Sequence, residues 1–163
     1  MMSLTLRPIV VPDDLNFLFQ VYASTRLEEL APLQWSREQL TGFLTMQFNA
    51  QHTDYTRNYP DAAFDIVLVD DHPAGRLYVH RRPASIHVID IALLPAFRSQ
   101  GIGSHFLKEL IAEGREKKLP VGIYVEYMNP AQHLYTRLGF KKISDAGVYF
   151  YMECSPETTP DAG

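Results

Sequence analysis

The chain has one cysteine, Cys154, which excludes an internal disulfide and any Cys-x-x-Cys metal knuckle. So close to the C-terminal end, it reads as an incidental strand residue rather than a nucleophile. Basic charge is not in excess. With 15 Lys and Arg against 19 Asp and Glu, the net charge is −4, which speaks against nucleic acid as a partner, because that would call for a basic face. No apolar run approaches the ~20 residues of a membrane span, so no membrane partner is expected. The segment Met1-Met2-Ser3-Leu4-Thr5-Leu6-Arg7-Pro8 has no basic-then-apolar leader pattern, and a cytoplasmic location is the expectation. His52, His72, His80, His105 and His133 show no metal-ligand spacing, so no metal is expected, and nothing resembles a nucleophile elbow.

What is present fits one soluble globular domain. At 163 residues and 46% apolar the chain can bury a real core. The expectation is one domain over residues 1–154 and a polar, proline-containing, disordered tail over 155–163.

Residues 4–9 read as a first strand. Asp13-Asp14 are expected to cap a helix reaching about Glu29, with Leu15, Leu18, Phe19, Tyr22 and Leu27 on or near its buried face. Ser36 with Gln39 resembles a capping box opening a second helix through Leu40, Phe43, Leu44 and Phe48, whose end has no clean period. Residues 63–69 form a strand, Asp70-Asp71-His72-Pro73 a turn, and residues 75–80 the hairpin partner. Residues 86–94 complete a meander, 101–117 form a helix with a basic last turn, and 121–125 form another strand. Asn129-Pro130 supply an N-cap and a first-turn proline for a short helix stopped by Gly139, and residues 140–144 and 148–153 form a closing antiparallel pair. The order β-α-α-β-β-β-α-β-α-β-β is an α/β (α+β) mixed sheet, mostly antiparallel, with one parallel βαβ unit.

The densest information lies in Arg98-Ser99-Gln100-Gly101-Ile102-Gly103-Ser104. The segment follows the β-branched run His87-Val88-Ile89-Asp90-Ile91 and opens a helix with Ile102, Phe106, Leu107, Leu110 and Ile111 at helical spacing. A glycine loop that opens a helix offers unpaired N–H groups and the positive end of a dipole to a phosphate, and glycine lets the main chain come close. No Gly-Lys-Ser/Thr follows, which disfavours a nucleoside-triphosphate loop, and the acidic residue of a dinucleotide fold is missing. Further along comes Asn129-Pro130-Ala131-Gln132-His133-Leu134-Tyr135-Thr136-Arg137-Leu138-Gly139-Phe140.

Together these two segments, in this order, resemble the GNAT superfamily of acyl-CoA-dependent N-acyltransferases. The resemblance implies a cleft for acetyl-CoA, as acyl donor, where the parallel strands splay apart at a bulge. It implies that amides of Ser99, Gln100, Gly101, Ile102, Gly103 and Ser104 hold the diphosphate, with Arg98 at the loop's entrance. Backbone at Ile91 and Leu93 would pair with pantetheine like an added strand. Asn129 matches a position that contacts pantetheine while also capping its helix.

Acetyl transfer to an amine needs a neutral amine, a donor to the acyl oxygen and a proton for the departing thiolate. By resemblance Tyr135 is the acid, and its alternative role is packing. The oxyanion donor would be the N–H of Leu93 or Leu94. For the base, His87 and Asp90 are rivals, with a water relay through Glu126 as a further route. A regular strand points His87 and Asp90 to opposite faces, and a bulge would undo that. The acceptor is expected to be an amine-bearing small molecule or peptide. Glu28, Glu29, Trp35, Tyr55, Tyr59, Tyr149 and Tyr151 are candidates to receive it, or else surface acids and core rings. A non-catalytic acyl-CoA-binding module and transfer to an alcohol or protein N-terminus are the competing readings. Monomer and homodimer both remain open.

Overall fold

The computed structural model describes residues 1–157. Residues 158–163 of the expected tail lie outside the described residues. Strand β1 (Leu4–Pro8) is followed by helices α1 (Leu15–Leu30) and α2 (Arg37–Asn58), then by strands β2 (Ala63–Val69), β3 (His72–Arg81) and β4 (Ile86–Leu93). Helix α3 (Ile102–Lys117), β5 (Val121–Glu126), α4 (Ala131–Arg137), β6 (Lys141–Ala146) and β7 (Tyr149–Cys154) complete the order expected from sequence. The strands form a seven-stranded mixed sheet in the order β1-β2-β3-β4-β5-β7-β6. Its parallel pair is β4 with β5.

The chain divides into two compact units. One is Met1–Leu77 with Ala92–Arg98, the other Tyr78–Ile91 with the chain from Ser99 on. In the first, α1 and α2 bury Leu18, Val21, Leu44 and Phe48, and β2 buries Ile66 and Val67. In the second, α3 buries Ile102, Phe106, Leu107 and Leu110, and β5 buries Val121, Ile123 and Val125.

Local chemistry accounts for most element ends. Ser36 Oγ accepts from the Gln39 N–H at 3.1 Å while Gln39 Oε1 accepts from the Ser36 N–H at 2.9 Å, the expected capping box. Helix α2 then runs on to Asn58, well past Phe48. Nothing after Gly42 breaks it until Pro60, and helix formers need no apolar period to continue. Asp70 and Asp71 both have positive φ, 49° and 66°, the geometry of a two-residue hairpin turn matched to strand twist. His72 and Pro73 therefore belong to β3 rather than to the turn.

Helix α1 departs from expectation in two ways. Asp14 occupies the N-cap position, but its carboxylate takes the Arg7 guanidinium at 2.8 and 2.9 Å and the Val10 N–H at 2.7 Å instead of capping. The hydrogen bond from Arg7 outweighs burial and holds the Asp14 carboxyl below its ordinary range. Leu27 is exposed, and Val21 takes the buried place.

Gly75 marks the tightest backbone packing in the first unit. A Cβ there would collide with the Ala92 carbonyl oxygen and lie 2.9 Å from Leu93 Cα, and neither is a flexible side chain that could yield. Gly75→Ala should lose ~2–4 kcal/mol by overpacking. This would appear as a lower urea midpoint at unchanged denaturant slope, and an unaltered midpoint would refute the contact.

Candidate cofactor and catalytic site

The loop before α3 is built to leave amides unpaired. Its turn Pro95–Phe97 closes with the Arg98 N–H on the Pro95 carbonyl, then Ser99 and Gly101 take the left-handed conformation at φ 60° and 80°. Alternating hand in successive residues turns their N–H groups toward one concave side. Among the described residues, the N–H groups of Ser99, Gly101, Ile102, Gly103 and Ser104 have no hydrogen-bond partner, and His105 is the first to bond back, to Gly101. Gly101 has open space where a Cβ would stand, and Ile102 is buried as the loop's anchor. Unpaired amides and the positive end of a 16-residue helix fit a diphosphate.

Strand β4 carries the second feature. Its pairing with β5 covers only Ile86, His87 and Val88, opposite Val121, Gly122 and Ile123. The Ile86 N–H donates to Pro120, on the β5 side, whereas the Leu94 N–H donates to Ala74 of β3 at 2.8 Å. Residues eight apart in a regular strand point their amides the same way, so the alternation is broken once between them, as a bulge does. Leu94, one of the two expected oxyanion donors, is thus committed to β3. By alternation from Leu94, the Leu93 N–H points away from that strand. The Leu93 carbonyl accepts Arg98 Nε at 2.9 Å. The Arg98 side chain thus turns back onto the strand and onto Ser24 of α1, whose Oγ lies 3.2 Å from Nη2.

Tyr135 is more buried than expected, at 6% exposure, while Leu134 of the anticipated buried stripe is only partly covered. Its ring lies 5.8 Å from that of Phe140. Burial, with the negative charge of Asp90 second, pushes the phenol up to about 12. The charge of Asp90 is thus felt at Tyr135 of α4, whereas His87 packs against β5. The His87 ring meets Tyr124 edge-on at 5.7 Å, so the two rival bases have different neighbours. Burial foremost, then the charges of Arg82 and His80, press the His87 imidazole down to about 4. An imidazole near 4 is neutral at pH 7, yet it is a poor acceptor for an ammonium proton. Asn129 Oδ1 accepts the Ala131 N–H at 2.9 Å, the expected capping role, and Glu126 is exposed.

Three of the acceptor candidates have local partners. Glu29 pairs with Arg26 at 3.0 Å, Trp35 meets Phe43 edge-on at 5.0 Å, and the Tyr151 hydroxyl donates to Glu153 at 3.2 Å. Two residues had gone unnoticed in the sequence. Gly122 has no Cβ because the Tyr151 hydroxyl occupies that space, and a glycine inside a strand run is the signal that marks such a close approach. Ser24 carries no sequence signal at all. Among the described residues no group of three or more His, Cys, Asp or Glu could hold a metal ion. No helix among them is long and apolar enough to cross a membrane.

A mixed sheet with one parallel pair, a glycine loop opening α3 and a short tyrosine-bearing helix after β5 define an acyl-CoA acyltransferase type of fold. A sequence profile described as the acetyltransferase (GNAT) family matches residues 27–140, and the chain belongs to that family. Its structure is similar to that of PaiA N-acetyltransferase from Thermoplasma acidophilum in complex with coenzyme A. The TM-score is 0.70 at 19% identity, covering 94% of this chain and 99% of the other. It is also similar to PH1933 from Pyrococcus horikoshii, with TM-score 0.69, 18% identity and coverage of 95% and 98%. An acetyltransferase from Thermus thermophilus gives TM-score 0.66, 18% identity and coverage of 94% and 97%. At these identities the likeness speaks for the fold alone. No curated protein matches the chain in sequence.

The buried His87 makes a pH prediction. Unfolded, its imidazole titrates near 6.5, and folded near 4, so between these values the unfolded chain binds the extra proton. The group's contribution is therefore complete above pH 6.5 and is lost as pH falls toward 4, an effect of ~3 kcal/mol. His87→Gln should flatten that part of the urea-midpoint profile between pH 7 and 4. Parallel profiles for the two proteins would contradict the burial argument.

Proposed function

We propose that residues 1–154 act as one catalytic domain, an N-acetyltransferase that moves an acetyl group from acetyl-CoA directly to a primary amine of a small molecule or peptide. The observation that carries this reading is the run of unpartnered amides at residues 99 and 101–104 on the N-terminus of α3. Family membership supports the acyltransferase chemistry. Bound there, acetyl-CoA would supply an acetyl group activated as a thioester.

Each part of the chain then has a defined task. The amides of residues 99–104 receive the diphosphate, so an acidic chain needs no general basic surface to bind an anion. The edge of β4 released by β5 after Val88, at Ile91 and Leu93, offers main-chain groups to the pantetheine amides. The Leu93 N–H, with Leu94 already engaged, donates to the acyl oxygen as negative charge develops. Asn129 uses one lone pair on its helix and keeps its amide N–H groups for the cofactor arm. Tyr135 stays protonated at every physiological pH and donates toward the departing sulfur. With His87 near 4, Asp90 or a water relay is the better-supported route for the amine proton.

The burial of Tyr135 favours one second reading, in which the phenol only packs and the domain binds acyl-CoA without turnover. Calorimetry with acetyl-CoA followed by thiol-release assays on a panel of primary amines separates the two. Catalysis predicts both binding and release, whereas heat without release would establish the binding module. Tyr135→Phe keeps the ring and removes the hydroxyl. It should lower kcat by ~10–100-fold while the Kd for CoA stays within about twofold. Turnover of Tyr135→Phe equal to wild type would remove the phenol from the chemistry. With the phenol near 12, the alkaline limb of kcat below pH 10 should be the same in both proteins.

A further inference from the structure

Arg98 stands at the head of the glycine loop, where a cation suits a phosphate, yet its side chain is otherwise engaged. The Nε–H donates to the Leu93 carbonyl at 2.9 Å. On the same edge of the guanidinium, Nη2 donates to Ser24 Oγ at 3.2 Å and approaches the Ser24 carbonyl at 3.5 Å. That edge presents parallel N–H bonds in one plane, so the two partners fix its position and its tilt together.

The acceptors are not loose surface groups. Ser24 Oγ donates in turn to the Val21 carbonyl at 2.7 Å, which sets its lone pairs, and Val21 is fully buried in the core of its unit. Leu93 lies between Gly75, which allows β3 to close on Ala92, and Leu94, whose amide is held by Ala74. The strand end is thus gripped on the β3 side by main chain and at the Leu93 carbonyl by Arg98.

We infer that Arg98 and Ser24 form a positioning clamp for acyl transfer, holding the Leu93 peptide on α1 instead of contacting the cofactor's phosphates. The inference rests on the acetyltransferase reading above. The Leu93 carbonyl and the Leu94 N–H lie in one rigid plane, held by Arg98 at one edge and Ala74 at the other. In an extended residue the N–H follows the direction of its own carbonyl, so holding that plane limits how far the Leu93 N–H can swing. An oxyanion donor displaced by even an ångström loses much of its effect, so the clamp acts on turnover. Ser24 and Arg98 are positioning residues, since neither is assigned a contact with substrate.

A phosphate ligand and a strand clamp differ in their response to the donor's length. Arg98→Ala should lower kcat about tenfold with acetyl-CoA. The drop should be similar with acetyl-pantetheine, which lacks the diphosphate, and the Kd for CoA should change less than threefold. Arg98→Lys should not restore the rate, because an ammonium has no planar fork. Ser24→Ala should give a smaller loss of the same kind, non-additive with Arg98→Ala, and Ser24→Thr should recover it. Amide exchange at Leu94, read by NMR, should quicken about tenfold in Arg98→Ala as its bond to Ala74 opens more often.

A large rise in the Kd for CoA with normal turnover of acetyl-pantetheine and wild-type exchange at Leu94 would make Arg98 a phosphate ligand and overturn the clamp. Wild-type protein that neither binds nor consumes acetyl-CoA would instead sink the acetyltransferase reading, and exchange at Leu94 would still decide whether Arg98 holds the strand.

Discussion

Strand β4 keeps β5 as a partner for only three residues, then continues with that edge released while β3 still holds its end through Ala74 and Leu94. A strand that loses one neighbour leaves main-chain donors and acceptors with nothing to pair with, and these are costly unless water or a ligand takes them. The break in amide alternation between Ile86 and Leu94 makes the release possible without unfolding the strand. The proposed roles of Ile91 and Leu93, and the need to hold the Leu93 peptide, all follow from that one-sided pairing.

The same economy governs charge. A net charge of −4 gives no overall attraction for a polyanion, so on the proposed reading a diphosphate is held locally, by a few cations and by dipoles aimed at short range. Amides fixed by the left-handed Ser99 and Gly101 and by the axis of α3 supply the dipoles. Such an arrangement is less sensitive to salt than a patch of lysines, because no mobile counterions need to be displaced from it.

What could be read from sequence was whatever depends on neighbours along the chain. The Ser36–Gln39 box, the Asp70-Asp71 turn, the Gly101 loop and the cap at Asn129 are local devices with residue signatures, and each marked an element end. The misreadings involve partners distant in sequence or shifts of a helix face. Asp14 looks like a cap until Arg7 claims its carboxylate, and α4 buries Tyr135, which packs on Phe140, more deeply than Leu134. Ser24 could not be found at all, since a serine mid-helix signals nothing until a guanidinium from far along the chain arrives. The fold was therefore legible in outline, while the supports of the site were not.

The raised pKa of Tyr135 bears on what kind of acid it can be. A phenol near 12 and a thiol near 8.5 differ by more than three units, so full transfer of the phenolic proton to a thiolate is uphill by ~4–5 kcal/mol. Burial and Asp90 therefore do not make Tyr135 a stronger acid; they keep it protonated. A hydrogen bond from a phenol that never ionises still stabilises charge as it develops on sulfur, and in a buried setting that interaction is stronger than in water. On the proposed reading, the proton that finally neutralises the thiolate originates on the acceptor's nitrogen, which becomes strongly acidic once it is acylated. That proton is the second one: the ammonium must already have lost its first to become a nucleophile, by way of Asp90 or the water relay. Asp90 has a second consequence in this scheme: it holds negative charge beside the phenol, raising the energy of a phenolate more than that of a hydrogen-bonded phenol. On the proposed reading the tyrosine is the hydrogen-bond donor and the Asp90 charge holds the phenolic proton in place, beside its candidate role on the route of the amine proton.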